Sequence, residues 1–328
     1  MKRRHTLLGL GGAAMLSLTG RAPFDSAWAQ VAFPSQPMKI VVPYPPGGLT
    51  DVAARLIGEH LQGAMGQPVV IENKAGAGTQ LGASLVAKAP PDGHTLLLAT
   101  VTTLCIAPAL YTKPMIAVSD FAGIAMLGNV TLILVGRPDL PASGVKELMA
   151  MLRAKPGGMS FGSPGIGTAH HLLTELVMSR EQVKAVHVPY PGSVKAVADL
   201  MEGRFDFMFV DGTVALPQIA AGKLKPLAVS GPGRWPVQPN IPALPEFYPG
   251  LSQQPWLSIA GPAATPLAVR ERLNAEINKA LAQPTIFDRL RQVGLDAAPL
   301  TLAAFDDFIR SDAGRWAEMV RISGAKAE

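Results

Sequence analysis

The feature that most constrains the fold of this chain is a regular alternation of apolar strand patterns and amphipathic helix patterns, which occurs twice. The first series alternates strand patterns at 38–44, 67–73 and 93–100 with helix patterns at 49–65 and 78–89. This β-α-β-α-β order is typical of an α/β lobe, in which a mostly parallel sheet is flanked by helices on both faces. The first series therefore predicts one such lobe.

The second series has the same character and begins after residue 143. Its helix patterns occur at 144–154, 168–180 and 193–204, and its strand patterns at 158–163, 183–190 and 205–211. Because 328 residues exceed what one ordinary core organises, we predict that this series forms a second lobe.

The rest of the chain combines a proline-rich stretch with three further helix patterns. The stretch 231–255 is so rich in proline that it predicts an extended surface segment. A strand pattern at 256–262 and helix patterns at 267–282, 286–294 and 302–323 follow it.

Two long apolar runs, at 95–111 and 121–136, raise the question of a membrane span. Pro108 interrupts the first run and Gly128 with Asn129 interrupts the second. Both runs are shorter than the roughly 20 residues that a span requires. Because both are rich in β-branched residues, we predict buried strands there.

The first 29 residues have the pattern of a cleavable export signal. A basic start with Arg3 and Arg4 precedes a short, weakly apolar core, and small residues end the segment at Ala29. The core is too short and too rich in glycine for a membrane anchor. We therefore expect residues 1–29 to be a signal peptide and the mature protein to be soluble in the periplasm. The paired arginines leave the twin-arginine route open.

Charge and cysteine content exclude several classes of function. Four of the 29 basic residues and one of the 24 acidic residues lie in the predicted signal, so its removal lowers the net charge from +5 to +2. This small excess gives no support to nucleic-acid binding. Cys105 is the only cysteine, which excludes an internal disulfide and a multi-cysteine metal site.

Glycine-rich loops separate a predicted strand from a predicted helix at three places: "PYPPGGLTD" at 43–51, "ENKAGAGTQLG" at 72–82 and "FGSPGIGTAHH" at 161–171. The first and the third of these loops contain no Lys or Arg. One loop alone is compatible with an ordinary tight turn, but all three follow strands, at the sheet edge where open α/β folds bind their ligands. Since helix starts offer free N–H groups, the loops predict a cleft that holds an anion or a carbonyl group.

Motifs for catalysis and nucleotide binding are missing from the sequence. The glycines of "GAGTQLG" do not have dinucleotide-loop spacing, and neither G-x-S-x-G nor G-x-x-x-x-G-K-[ST] occurs. The neighbours His170 and His171 diverge by about 100° on a helix and do not easily share a metal. Asp51 and Arg55 are spaced for a surface ion pair. We therefore expect a binding protein without catalytic residues, metal or cofactor.

Several long stretches resemble the solute-binding receptors of tripartite tricarboxylate transporters (TctC/Bug type). They are "PMKIVVPYPPGGLTDVAARL", "GQPVVIENKAGAGTQLGASLVAKAPPDGHTLLLAT", "SFGSPGIGTAHHLLTEL", "VHVPYPGSVKAVADLMEGRFDFMFVD" and "AGKLKPLAVS". The order and spacing of these stretches are specific to the family, and the resemblance runs from residue 35 to the C-terminus.

The resemblance implies a type II periplasmic-binding fold, in which two α/β lobes joined by crossing strands close over a ligand. Lobe I would comprise residues 31–131 and 256–328 and lobe II residues 132–255, with "VTLILVG" and "WLSIAGP" as hinge strands. The resemblance also implies a receptor, expected to be a monomer, that captures a small carboxylate and delivers it to the membrane permease subunits of a tripartite tricarboxylate-type transporter.

The resemblance further implies that main-chain amides and small hydroxyls hold the carboxylate. The matching positions are Gly47, Gly48, Thr50 and Asp51 in the first loop, Gly78 and Thr79 in the second, Thr100 after the third strand, Ser163, Gly165, Gly167 and Thr168 in the opposite lobe, and Asp211. An aromatic content of 6% argues against a sugar site of stacked rings, so a mono- or dicarboxylate is expected.

Four departures from the family pattern leave the identity of the ligand open. His94 replaces a usual Tyr, Thr79 replaces a common Gly, Asp211 comes one residue later than usual, and "VMSREQVKAV" is shorter than usual. The alternative function is that of a sensor protein that presents its ligand, or of an orphan receptor for a small aromatic acid or amide without a cognate permease.

Overall fold

The computed structural model describes residues 33–327. The predicted signal peptide, residues 1–29, lies outside the described residues. In chain order the strands are β1 (Met38–Val42), β2 (Val69–Asn73), β3 (Thr95–Thr100), β4 (Phe121–Val130), β5 (Leu132–Gly136), β6 (Ser160–Ser163), β7 (Val186–Pro189), β8 (Phe207–Asp211), β9 (Lys225–Val229), β10 (Trp256–Pro262) and β11 (Leu295–Ala297).

The helices lie between these strands and at the end of the chain. They are α1 (Leu49–Met65), α2 (Gln80–Ala87), α3 (Ala107–Leu110), α4 (Val145–Ala154), α5 (Ala169–Arg180), α6 (Ser193–Met201), α7 (Gly212–Ala220), α8 (Leu267–Ala282), α9 (Pro284–Gln292) and α10 (Leu302–Ser323). Within residues 33–327, no helix is long and apolar enough to cross a membrane.

The strands form two separate sheets. The first has the order β11-β4-β10-β3-β1-β2, and the second has the order β7-β6-β8-β5-β9. In the first sheet β1 is parallel to β2 and β3, whereas β10 is antiparallel to β3 and β4. In the second sheet β6 is parallel to β7 and β8, whereas β5 is antiparallel to β8 and β9. The two predicted α/β series thus lie in two different sheets, and each sheet also contains an antiparallel strand, β10 in the first and β5 in the second.

The chain passes between the two sheets at two places that lie side by side. The first passage is Thr131, the one residue between β4 and β5. The second is the stretch that leads from β9 to β10. The amide of Val130 donates to the carbonyl of Pro255 at 2.7 Å, and the amide of Ser230 donates to the carbonyl of Leu132 at 2.8 Å. These hydrogen bonds hold the two connections together where the sheets meet.

Most predicted elements are confirmed, and the bounds of α1, β10, α8 and α10 agree with the sequence patterns. The prediction of a buried strand is wrong for the second half of the run 95–111. There the chain forms a π-helix at Thr102–Ile106 followed by α3. Periodicity cannot separate a short buried helix from a buried strand, and burial outweighs the β-propensity of the two threonines.

The proline-rich stretch 231–255 is irregular, as predicted, but it is more than a surface segment. Its apolar side chains Trp235, Ile241 and Leu251 are buried. Trp235 and Ile241 belong to the apolar core of the second sheet, and Leu251 belongs to the larger core. The stretch therefore covers part of the second sheet as well as connecting β9 to β10.

Candidate ligand-binding site

A cavity of about 420 Å³, called here the first cavity, lies where loops of the two sheets meet. From the first sheet it is lined by the loop before α1 and by the residues that follow β3. From the second sheet it is lined by the starts of α5 and α6 and by Asp211. The connection between the sheets adds the apolar side chains of Val130, Trp256 and Leu257. Both halves of the chain thus contribute to one site.

The start of α1 presents free N–H groups to the first cavity. Gly47 has a φ of +90°, a conformation that favours glycine, and Gly48 is the N-cap with no side-chain cap. The first amide of the helix with an acceptor is that of Asp51, which donates to the carbonyl of Gly48 at 3.1 Å. The amides of Gly48, Leu49 and Thr50 have no acceptor within residues 33–327. They form a positive, unsatisfied helix end at the cavity wall.

A second helix start, that of α6, faces the same cavity from the other sheet. Its N-cap is Gly192, again without a side-chain cap, and the first amide with an acceptor is that of Ala196. The amides of Ser193, Val194 and Lys195 have no acceptor in the described part of the chain. The loop before α6 was not among the predicted ligand-binding loops.

A signal in the sequence could have identified this loop. The tetrapeptide Val-Pro-Tyr-Pro occurs at 42–45, just before α1, and again at 188–191, just before α6. Both copies end a strand, turn through glycine and begin a helix. The repeat therefore marks the two equivalent corners that meet across the first cavity.

The two corners also contact each other at the edge of the cavity. A Cβ on Gly192 would lie 3.1 Å from Pro45 Cγ, and a Cβ on Gly47 would lie 3.6 Å from Val194 Cγ2. The glycine at 192 therefore allows the ring of Pro45 to approach the opposite loop closely. The two corners are therefore in contact at residues that line the first cavity.

The glycine-rich loop before α5 uses its amides within the protein. The amide of Gly165 donates to Ser163 Oγ (3.2 Å), that of Gly167 to His171 Nδ1 (3.1 Å), that of Thr168 to the carbonyl of Gly165 (3.3 Å), and that of Ala169 to Thr102 Oγ1 (3.3 Å). Of the five amides from Gly165 to Ala169, all except that of Ile166 thus already have an acceptor.

Two stacked histidines support the same loop. The rings of His171 and His187 are 3.9 Å apart between centroids, and Ser163 Oγ lies 2.7 Å from His187 Nε2. Burial, followed by the proximity of His171, lowers the pKa of His187 to about 3. A neutral His187 keeps the stack free of charge repulsion at neutral pH. The loop before α5 is therefore held by side chains below it.

Asp211 brings a carboxylate to the first cavity. The residue is 5% exposed, and its Oδ1 is buried without a hydrogen-bond partner among the described residues. It occupies the N-cap position of α7, yet its side chain makes no cap hydrogen bond. Burial raises the pKa of Asp211, and the hydroxyl of Ser193 opposes this shift. A residue that lines the cavity therefore has one carboxyl oxygen, Oδ1, without a hydrogen-bond donor.

Besides Asp211, the ionisable residues that line the first cavity are His170, Lys195 and Tyr44, whose hydroxyl lies 3.2 Å from Thr100 Oγ1. Both ring nitrogens of His170 are buried without a partner in the described chain, and burial lowers its pKa to about 4. His170 is therefore neutral at pH 7, with one donor and one acceptor nitrogen. Lys195 is exposed, and it is the one Lys or Arg among the residues that line this cavity.

The structure divides the predicted site residues among three positions. Gly48, Thr50, Thr100 and Asp211 line the first cavity. Gly78, Thr79, Gly165 and Thr168 line a second cavity of about 430 Å³, which shares Tyr44, Pro45, Pro164 and Pro191 with the first. Gly47, Asp51, Ser163 and Gly167 line neither of the two cavities.

The four residues outside the cavities shape the loops. Asp51 forms the predicted pair with Arg55 at 2.9 Å and accepts from the amide of Gly47 at 3.2 Å. At Gly167, a Cβ would collide with the side chain of Leu110. His94, one of the departures from the family pattern, accepts from the amide of Ser35 at 3.1 Å and lines neither cavity.

Solved structures with the same architecture define the class of this protein. The periplasmic binding protein BugD superposes with a TM-score of 0.84 at 31% identity, covering 90% of this chain and 100% of that chain. A protein of R. palustris solved with adipate gives 0.86 at 29% identity, covering 90% and 99%. MatC of Rhodopseudomonas palustris with bound malate gives 0.81 at 30% identity, covering 88% and 100%. The fold is the two-lobed fold of periplasmic binding proteins.

Sequence comparisons identify the family. Residues 53–324 match the profile of the tripartite tricarboxylate transporter family receptor, TctC. A protein encoded in the tcbD-tcbE intergenic region of Pseudomonas sp. (strain P51) is 37% identical over 97% of this chain and 94% of its own length. BugT of Bordetella pertussis (strain Tohama I) is 35% identical over 90% and 91%. The chain belongs to the TctC receptor family and is a solute-binding receptor, not an enzyme.

Proposed function

We propose that this receptor captures a small carboxylate in the first cavity and holds it with the free amides of α1 and α6. The observation that carries the proposal is the convergence of two uncapped helix starts, one from each sheet, on a single cavity. Each start offers three N–H groups without an acceptor and the positive end of a helix dipole, which together favour an anion.

The energies of such contacts are sufficient for a transport receptor. A hydrogen bond from an amide to a charged oxygen contributes about 1.5–3 kcal/mol, so a few of them reach the about −8 kcal/mol of a micromolar complex. The apolar side chains of Val130, Trp256 and Leu257 would cover the carbon skeleton of the ligand. The adipate and malate of the structural neighbours support a small organic acid as the ligand class.

The predicted site residues take different parts in this proposal. Gly48 and Thr50 bind the carboxylate directly, whereas Gly47 and Asp51 fix the turn that exposes their amides. Ser163 and Gly167 hold the start of α5 in place. The remaining predicted residues line the cavities on either side of the prolines that separate them, with Thr100 and Asp211 in the first cavity and Gly78, Thr79, Gly165 and Thr168 in the second.

The proposal also covers the location and the partner of the receptor. Residues 31–131 with 256–328 would form lobe I and residues 132–255 lobe II, and separation of the lobes would admit the ligand. The mature receptor would work in the periplasm as a monomer and deliver the acid to the membrane permease of a tripartite tricarboxylate-type transporter. Support comes from the family match and from the export signal pattern of the first 29 residues.

A charge placed at either helix start tests the anion site. Thr50 and Ser193 line the cavity in the first turns of α1 and α6. An aspartate there favours the helix but repels a bound carboxylate. We expect Thr50→Asp and Ser193→Asp each to weaken binding of the mature protein to its best carboxylate by about tenfold or more. The uncharged controls Thr50→Asn and Ser193→Asn should stay within about threefold of the wild type.

Isothermal titration with a panel of mono- and dicarboxylates gives the measurement. Saturating ligand at 100 times Kd should also raise the unfolding free energy by about 2.7 kcal/mol, visible as a thermal shift. Equal affinity in the Asp and Asn variants of both positions would show that the carboxylate is held elsewhere. Loss of uptake of the same acid in cells that lack the receptor would support delivery to a permease.

A further inference from the structure

The first cavity contains one strong acceptor that the protein leaves unused. Asp211 is 5% exposed and lines the cavity, and its Oδ1 is buried without a partner in the described residues. An aspartate at an N-cap normally accepts from an amide of the first helical turn, but Asp211 does not cap α7. A buried carboxyl oxygen without a partner is costly, so a group that fills this need in the complex would gain affinity.

The ionisable groups around Asp211 do not supply that partner. Lys195 lies at the start of α6 and is exposed, so its ammonium can remain in water. His170 is neutral and has no hydrogen bond to Asp211. The hydroxyls of Ser193 and Thr213 and the amide of Val214 oppose the rise in the pKa of Asp211, but none of them donates a hydrogen bond to its Oδ1. Asp211 therefore lines the cavity without a buried cation beside it.

We infer that the ligand of this receptor is a monocarboxylate that carries a hydrogen-bond donor, such as a hydroxyl, amide or ammonium group, which binds Asp211. The inference rests on the proposed function, because the single carboxylate occupies the helix starts of α1 and α6. A second carboxylate beside Asp211 would be disfavoured at neutral pH, because two carboxyl groups at close range cannot both stay ionised without repulsion and one of them would have to take up a proton. This receptor would then differ in ligand class from the structural neighbours solved with adipate and malate.

Acids of equal length distinguish the need for one carboxylate from the need for a hydrogen-bond donor at the far end of the ligand. Adipate, ω-hydroxyhexanoate and hexanoate share one chain length and differ only at the far end, which is a carboxylate, a donor or a methyl group. Succinate, γ-hydroxybutyrate and butyrate repeat the comparison in a shorter chain. Isothermal titration at neutral pH measures the Kd of each acid for the mature protein, and for its Asp211→Asn and Asp296→Asn variants.

Asp296→Asn is the matched control for Asp211→Asn. Burial raises the pKa of Asp296 as it does that of Asp211, but Asp296 belongs to β11, accepts from Thr131 Oγ1 and does not line the first cavity. Asp296→Asn therefore shows how the loss of a partly buried carboxylate outside the first cavity affects ligand binding.

At the better-fitting chain length, the hydroxy acid should bind the wild type at least about tenfold more tightly than the dicarboxylate. Asp211→Asn should reduce this ratio by about tenfold, chiefly by improving the dicarboxylate, while the unsubstituted acid stays within about threefold. The control variant should keep the wild-type ratio. The wild-type ranking tests the inference even if Asp211→Asn does not fold.

Two results would overturn the inference, and they have different consequences for the proposed function. If the dicarboxylate binds the wild type as tightly as the hydroxy acid, Asp211 does not select the ligand, but the helix starts still bind a carboxylate. If none of the six acids binds at millimolar concentration, the proposed function fails and the inference fails with it.

Discussion

The loops that begin α1 and α5 have similar sequences but use their main-chain amides in opposite ways. Both follow a strand, contain several glycines and lack Lys and Arg. Before α1, only the amide of Gly47 is taken by a side chain, that of Asp51, and the next three donors stay free. Before α5, Ser163, His171 and Thr102 accept the amides of Gly165, Gly167 and Ala169. Glycine content therefore does not decide whether a loop can bind an anion. The deciding factor is whether side chains beneath the loop already accept hydrogen bonds from its amides.

The largest expected difference between the two loops is their tolerance of a methyl group. Gly167 has a φ of +73°, and a Cβ there would collide with Leu110. Gly48 has a φ of −88° and open space around it. We expect Gly167→Ala to lower the free energy of unfolding by about 2–4 kcal/mol and Gly48→Ala to change it by less than about 0.5 kcal/mol. Urea unfolding of both variants measures the contrast, and equal losses would contradict it.

A smaller effect is expected from the acceptor below the α5 loop. His171→Leu removes Nδ1 and leaves the buried amide of Gly167 without a partner, which should cost about 1–3 kcal/mol of unfolding free energy. His171→Asn supplies an oxygen near the position of Nδ1 and should recover at least half of that loss. If His171→Leu and His171→Asn are equally destabilised, the stack with His187 matters and the loop hydrogen bond does not.

The smallest expected effect concerns Asp51 and depends on pH. Burial acts against ionisation of Asp51, but its hydrogen bonds with Arg55 and the amide of Gly47 prevail and hold its pKa below the usual value. The stabilisation is therefore present above the unfolded pKa of about 3.9 and is lost as the pH falls through the lower folded pKa. The ion pair is partly exposed, so Asp51→Asn should cost about 1 kcal/mol at pH 7.

Urea unfolding at several pH values tests this sign. The difference between the wild type and Asp51→Asn should shrink as the solution is made more acidic than pH 4 or so, because the wild-type carboxylate then takes up a proton. A difference that stays constant across the acidic range would show that the packing of Asp51 stabilises the loop and that its charge does not.

Much of the fold could be predicted because most segments have one dominant period. Helix α1 has the spacing of an amphipathic helix and ends at Gly66 in a left-handed conformation, so both of its bounds are readable in the sequence. Helix α7 was not predicted, because Pro217 lies inside it and Gly212 begins it, and both residues usually indicate a break. The π-helix after β3 was not predicted, since all of its residues are buried and the run has no polar face that would reveal a helical period.

The site could be predicted only in part, because hydrogen-bond partners depend on contacts between distant residues. The sequence shows that Gly48 and Thr50 precede a helix, which is enough to suggest free amides. It does not show that Thr102 reaches the amide of Ala169, 67 residues away. The start of α6 was not predicted as a ligand-binding loop because it has a single glycine. The repeated Val-Pro-Tyr-Pro nevertheless shows that its sequence resembles that of the first loop. The ligand-binding roles of the predicted residues remain predictions until a ligand is measured.

The close approach of Pro45 and Gly192 has a consequence for the timing of ligand exchange. These residues belong to the corners that carry the two free helix starts, so the groups proposed to bind the ligand are part of the loops that contact each other. If the lobes separate as proposed, parting the corners would free the ligand and remove half of the amide donors in one movement. The residence time of a bound acid would then follow the rate of that movement, and acids of different size would dissociate at similar rates even where their affinities differ.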